Sequence, residues 1–186
     1  ISLTSVFSKT ETDENSFLTR LLNTAVEVIP EADYGTVYKN VDGKVEFIHA
    51  IGHDYEKLKE ISLNEKKFYN ENKEIDIISD TMEQNTYKFE KNKLSKLKEA
   101  QQSIKQTMTF DLVIDEEVMA GLNLDIKLGS KQEFNKSSKR IFKSLHNIST
   151  SFYKMQKYNI LQNKFTKELL LSIVRMLEIH DLYTRG

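Results

Sequence analysis

The stretch IKQTMTFDLVIDEEVMAGLNLDI, residues 104–126, decides the fold. Two arms rich in apolar and β-branched residues flank the acidic pair Asp115-Glu116, which predicts two long strands joined by a tight turn. Gly121 lies inside the second arm, where a side chain would meet something packed close against the strand. A two-residue loop sets Ile114 opposite Glu117 and Val113 opposite Val118. Counted onward from that turn, Met108, Phe110 and Leu112 share a face with Asn123, Gly121 and Met119. Thr109, Val113, Val118, Ala120, Leu122 and Leu124 fill the other. Both faces are largely apolar, so both are expected to be covered, one by helices and the other by loops or a ligand space.

Working outward, a second hairpin is expected from Tyr34 to Ile51, because Asp42-Gly43 between alternating strands supplies a turn whose central residues take positive φ. That register sets Tyr38 across from Phe47 and Thr36 across from His49, leaving an aromatic, polar face for a pocket and an aliphatic one for helices. Before it, a helix capped by Asp13 or Thr12 carries Phe17, Leu21, Leu22, Ala25, Val28 and Ile29 on one side and ends at Pro30. Residues 1–12 read as a linker. Between the hairpins the sequence predicts a short helix at Tyr55–Lys59, a strand at Ile75–Ser79 and a solvated helix over Lys91–Gln102. After Gly129-Ser130 there is neither Gly nor Pro until Gly186. Apolar residues recur there at threes, fours and sevens through Phe134, Leu145, Phe152, Leu161 and Leu177, so one long helix of coiled-coil type is expected.

Composition narrows the function. The 186 residues carry a net charge of −1 with Lys and Glu interleaved, which speaks against nucleic acid as a partner. With no cysteine, disulfides, thiolate chemistry and thiol-linked chromophores are excluded. No apolar run approaches the roughly 20 residues that span a bilayer, and no signal peptide opens the chain, so a cytoplasmic location without membrane contact is expected for this segment. The first residue, Ile1, suggests a piece cut from a longer protein. His49, His53, His146 and His180 fall in separate elements without helical pairing, so no metal site is expected; His53, His146 and His180 read as solvated or capping groups. Thr107, Thr109 and Asp111 read as strand residues, since no base or strained nucleophile elbow accompanies them.

The segments EADYGTVYKNVDGKVEFIHAIGHDYEKL (31–58), TFDLVIDEEVMAGLNLDI (109–126) and KQEFNKSSKRIFKSL (131–145) resemble, in order and in local phrasing, the hairpins and last helix of a GAF domain. The resemblance spans roughly residues 13–157. It implies an α+β fold with a GAF/PAS-like central antiparallel sheet of 5–6 strands, terminal helices on one face, a ligand pocket or loops on the other, and a long C-terminal helix. The implied pocket is walled by Tyr38, Phe47, His49, Phe68, Tyr69, Tyr87, Met108, Phe110 and Asn123. Relatives that bind cyclic nucleotides carry an Asp-Glu pair in the last helix, and residues 136–140 offer none.

The tail LLLSIVRMLEIHDLYTRG (169–186) resembles the opening of an HD-GYP phosphodiesterase domain, so residues 158–186 read as a connector helix and the truncated start of that domain. His180-Asp181 precedes the family's metal ligands, which places divalent metals only in the missing domain and leaves this fragment without a cofactor. The two resemblances together imply a non-catalytic sensor. It binds an unknown small molecule, forms a homodimer through its terminal helices at Leu145, Phe152, Met155 and Leu161, and controls a cyclic di-GMP phosphodiesterase. The alternative is a structural dimerisation spacer with a filled pocket.

Overall fold

A computed structural model describes residues 13–61, 63–64, 75–79 and 90–184, with the side chains of residue 64 and residues 176–184 excepted. The expected linker at 1–12 and the pocket residues Phe68, Tyr69 and Tyr87 lie outside the described residues. The elements run α1 (Glu14–Val28), β1 (Tyr34–Val41), β2 (Lys44–Ile51), α2 (Tyr55–Lys59), β3 (Leu63–Asn64) and β4 (Asp76–Ser79). They continue as α3 (Lys91–Ala100), β5 (Ile104–Ile114), β6 (Glu117–Lys127) and α4 (Lys136–Thr184). One six-stranded antiparallel sheet, in the order β3-β2-β1-β6-β5-β4, joins all the strands, so the expected strand count and layering hold. The chain divides into two compact units, one ending at Ser149 and the other beginning at Thr150.

Local chemistry sets the element ends. Asp13 caps α1, its carboxylate accepting from the backbone N–H groups of Asn15 and Ser16, and the helix stops two residues before Pro30. Both hairpin turns hold their central residues at positive φ, 52° and 77° at Asp42-Gly43 and 49° and 70° at Asp115-Glu116. Asn135 opens α4, its side-chain oxygen accepting from Ser137 and Ser138, which is why the helix begins at Lys136 rather than Lys131.

The register differs from the one a two-residue turn alone implies. In β6 the pairing slips after Val113↔Val118, so that Leu112 faces Ala120, Phe110 faces Leu122 and Thr109 faces Asn123. Met119 is thus an extra, bulged residue, and beyond it every side chain of β6 sits on the face opposite to the one expected. In β2 Ile48 is extra in the same way: Tyr38 faces Phe47 as expected, but His49 lies opposite Val37 and Ala50 opposite Thr36. In β5 Lys105 is the extra residue between Ile104↔Lys127 and Gln106↔Ile126.

These bulges sort the two faces. Gly35, Val37, Met108, Phe110, Leu112, Leu122 and Leu124 form an apolar face beneath α1 and the first turns of α4. A β-carbon on Gly35 would meet Leu22 of α1 and Leu124 of β6, and the Phe110 ring lies 4.6 Å from that of Phe142 in α4. The opposite face carries Tyr34, Thr36, Tyr38, Thr107, Thr109, Asp111, Gly121, Asn123 and Asp125. On its β2 side Tyr38, Val45 and Phe47 join Leu58 of α2 and Leu97 and Ala100 of α3 in a buried apolar cluster.

In the second unit, the helical side chains Met155, Tyr158, Leu161, Phe165 and Leu169 recur at spacings of three and four and stay exposed. Among the described residues no helix is long and apolar enough to cross a membrane.

Candidate functional site

The face opposite α1 is a polar floor laid out in rows across the strands. In the first row Tyr38 of β1 and Asp111 of β5 flank Gly121 of β6, and the tyrosine reaches across the glycine to donate to Asp111 Oδ1 at 2.7 Å. A β-carbon at 121 would stand 2.2 Å from the Tyr38 hydroxyl, so only glycine permits the crossing. In the second row Thr109 donates to Asn123 Oδ1 at 2.6 Å, and Asn123 Nδ2 donates to Thr36 Oγ1 at 3.3 Å. Asp76 of β4 extends this row opposite Thr109.

The third row pairs Tyr34, Asp125 and Thr107. Thr107 donates to Asp125 Oδ1 at 2.6 Å, and the His53 ring meets Asp125 Oδ2 at 3.0 Å. The backbone N–H of Gln102 donates to His53 Nδ1 at 3.1 Å, so Nδ1 is the acceptor and Nε2 carries the proton given to Asp125. That tautomer leaves no ring nitrogen to take a proton from Thr107, which excludes a hydroxyl nucleophile activated by this histidine. The side chain of His53 has no exposed surface, contrary to its expected solvated or capping role. Its ring lies 5.1 Å from that of Tyr34.

Asn123 is half-buried, as are Tyr34 and Asp76, and among the described floor residues it is the one that carries an amide. Its amide offers two N–H donors and two acceptor lone pairs, of which the threonines use one each. Among the described residues the remaining donor and acceptor have no partner. A small molecule presenting an adjacent acceptor and donor would match them.

The expected pocket residues therefore separate. Tyr38, Phe47 and Asn123 lie on the polar side, the first two inside the apolar cluster. Met108 and Phe110 belong to the apolar face, and Phe110 meets His146 of α4 at 5.1 Å as well as Phe142. His49, turned by the bulge, faces Val37 and packs edge-on against Tyr55 at 6.2 Å. Sequence reasoning set aside Thr107, Thr109 and Asp111, placed Thr36 on the pocket face without singling it out, and passed over Asp125. Thr109, Asp111 and Asp125 each sit between two apolar neighbours, which was the available signal. A separate open cleft of about 390 Å³ lies between α1 and β2, lined by residues such as Asn15, Arg20, Glu46 and Tyr55, and touches none of the floor. Among the described residues no cluster of three or more His, Asp or Glu is placed to hold a metal.

Of the expected interface residues, Leu145 is fully buried within its own chain and Phe152 is 6% exposed, whereas Met155 and Leu161 are 52% and 56% exposed. The interleaving of charge also fails locally. Residues 134–167 hold eight of the chain's 27 Lys and Arg and none of its 28 Asp and Glu.

A sheet of this order, sandwiched between terminal helices and a polar face, is the fold of a GAF domain. The GAF domain of the Acinetobacter phosphoenolpyruvate-protein phosphotransferase is similar at a TM-score of 0.61 and 12% identity, over 80% of this chain and 85% of that one. A GAF domain/HD domain protein from Geobacter sulfurreducens is similar at 0.61 and 11%, over 80% and 97%. The blue-light absorbing form of the Thermosynechococcus elongatus PixJ GAF domain gives 0.54 and 12%, over 85% and 94%. No known family model matches the sequence, and no curated protein does. At these identities the likeness is one of fold.

Proposed function

We propose that this chain is a non-catalytic sensory and regulatory domain that binds a small molecule on the polar floor around Asn123 and passes the signal through α4. The observation that carries the reading is the division of labour between the faces. One is sealed by α1 and α4, while the other holds a half-buried amide with spare hydrogen-bonding capacity among ordered threonines. The output is a homodimer formed along Met155, Tyr158, Leu161 and Phe165, which are exposed and apolar. In that seam Lys157 and Lys164 flank one side and Gln162 the other. A parallel pair sets lysines beside the partner's amide flank, whereas an antiparallel pair sets lysine against lysine, so the parallel arrangement is favoured.

The controlled element is a cyclic di-GMP phosphodiesterase of HD-GYP type, joined after Gly186. The phrase 169–186 supports this, and a GAF domain/HD domain protein is among the structural neighbours. A ligand shifts such a switch only by its differential affinity for the two states, and about 10⁴-fold is needed to move it from 1:99 to 99:1. The test is a thermal-shift panel of nucleotides, amino acids and carboxylic acids, with Asn123→Ala as the control. A ligand that stabilises the wild type and not the variant supports the reading; a ligand acting equally on both rejects the floor as its site. A structural spacer is the second reading, favoured by the way Tyr38 and Phe47 fill the β2 side of the floor with protein.

A further inference from the structure

The buried pair of His53 and Asp125 ties the polar floor to the seat of α4. His53 follows β2 in the chain, and its ring bridges two other segments: Asp125 on the floor and the backbone N–H of Gln102, where α3 passes into β5. The neighbouring Asp54 N–H donates to Ala100 O at 2.9 Å, which fastens the same junction a second time. A few residues on, Leu128 N–H donates to Ser103 O at 2.9 Å. The bulge then places Lys105 out of register with β6, and its ammonium reaches the loop before α4. It donates to Ser130 O at 3.1 Å and Gln132 O at 2.8 Å and pairs with Glu133 at 3.3 Å. Gln106 Oε1 accepts from Phe134 N–H at 2.9 Å, one residue before the Asn135 cap.

Residues 102–106 are thus held at one end by the His53 ring, itself bonded to Asp125 of the floor, and hold, at the other, the loop that positions the first turn of α4. We propose that His53 is a positioning residue that couples the polar floor to that turn. When the Asp125 row rearranges, the ring releases Gln102, the 102–106 segment loosens, and the 130–134 loop loosens with it. This rests on the reading of α4 as the output element, but the contacts themselves require neither ligand nor second copy. Coupling of this kind is carried by a contiguous, two-state set of hydrogen bonds rather than by proximity alone.

The experiment is amide hydrogen exchange on the whole chain, comparing His53→Phe with the wild type. Phenylalanine keeps the ring against Tyr34 and removes both nitrogens. The amides of Leu128, Phe134 and Lys139 are expected to exchange about fivefold faster or more relative to those of Phe17 in α1 and Ile29 at its C-cap. Leu21→Ala, which loosens α1 instead, should leave the first three amides no faster than the α1 pair. An unchanged ratio in His53→Phe overturns the proposal. Should that variant fail to fold, exchange of the wild type in graded low denaturant decides. Gln102, Leu128 and Phe134 opening with one common denaturant dependence supports the coupling, and separate dependences reject it. A chain that binds no ligand and never dimerises can still pass or fail either measurement, so the result is independent of the sensor reading.

Discussion

Replacing Gly121 with alanine tests the geometry of the floor most severely. The new β-carbon would lie 2.2 Å from the Tyr38 hydroxyl and 2.3 Å from the ring carbon bearing it, against the 3.4 Å at which ordinary contact begins, so the ring end must retreat by about 1.2 Å. It has nowhere to go. Tyr38 is 2% exposed, its ring meets that of Phe47 edge-on at 6.2 Å, and both belong to the cluster with Leu58 and Leu97. Overpacking of this kind costs about 1–3 kcal/mol, and loss of the tyrosine bond to the buried Asp111 adds about 1–3 kcal/mol. Together these come to about 2–6 kcal/mol, centred on about 4 kcal/mol, which corresponds to a fall in Tm of about 10 °C for a domain of this size. The assay is urea unfolding of Gly121→Ala, Tyr38→Leu and the double variant. Leucine lacks all three atoms that the new methyl would strike, so in its background Gly121→Ala should cost less than about 1 kcal/mol, giving a coupling above about 2 kcal/mol. Costs that simply add would show that Tyr38 does not cross the sheet at Gly121.

Three further outcomes follow from the same structure. Glu116 sits at a φ of 70° that glycine adopts more cheaply, so Glu116→Gly should stabilise the chain by about 0.5–1 kcal/mol in urea titrations without changing the m-value. Phe110→Ala should cost about 3–5 kcal/mol through the cavity it leaves against Phe142 and His146, yet it should leave the ligand selectivity of the folded protein intact. Bonds from the Ser16 hydroxyl, then from its backbone N–H, hold the Asp13 carboxyl below the ordinary carboxylate range. A lowered folded value means that the cap's contribution is complete above the unfolded value and is lost as pH falls through the folded one. The Ser16 amide should therefore stay protected near neutrality and fray only in acid, and Asp13→Asn should abolish that pH dependence.

The fold was legible because its signals are local. Asp42-Gly43 and Asp115-Glu116 mark both turns, Asp13 and Pro30 bracket α1, and the Gly-free and Pro-free run after Ser130 announces α4. Register was not legible from the turns, because the bulges at Ile48, Lys105 and Met119 are imposed by the sheet and leave no glycine or proline behind. The alternation did hold the answer in the central hairpin. Thr107, Thr109 and Asp111 oppose Asp125, Asn123 and Gly121 only when one residue near Met119 is skipped; otherwise polar groups face leucines across the strands. His53 and Asp125, 72 positions apart, could be joined only by the folded chain.

Signal output through α4 depends most directly on the pairing of two copies along its exposed stripe. Because the chain contains no cysteine, Tyr158→Cys and Phe165→Cys can each be made alone and oxidised at micromolar concentration. A parallel, in-register pair predicts a disulfide-linked dimer from both variants, since each site lies beside its own copy. A bridge at only one of the two sites indicates an antiparallel crossing, and monomer from both contradicts the output mechanism altogether.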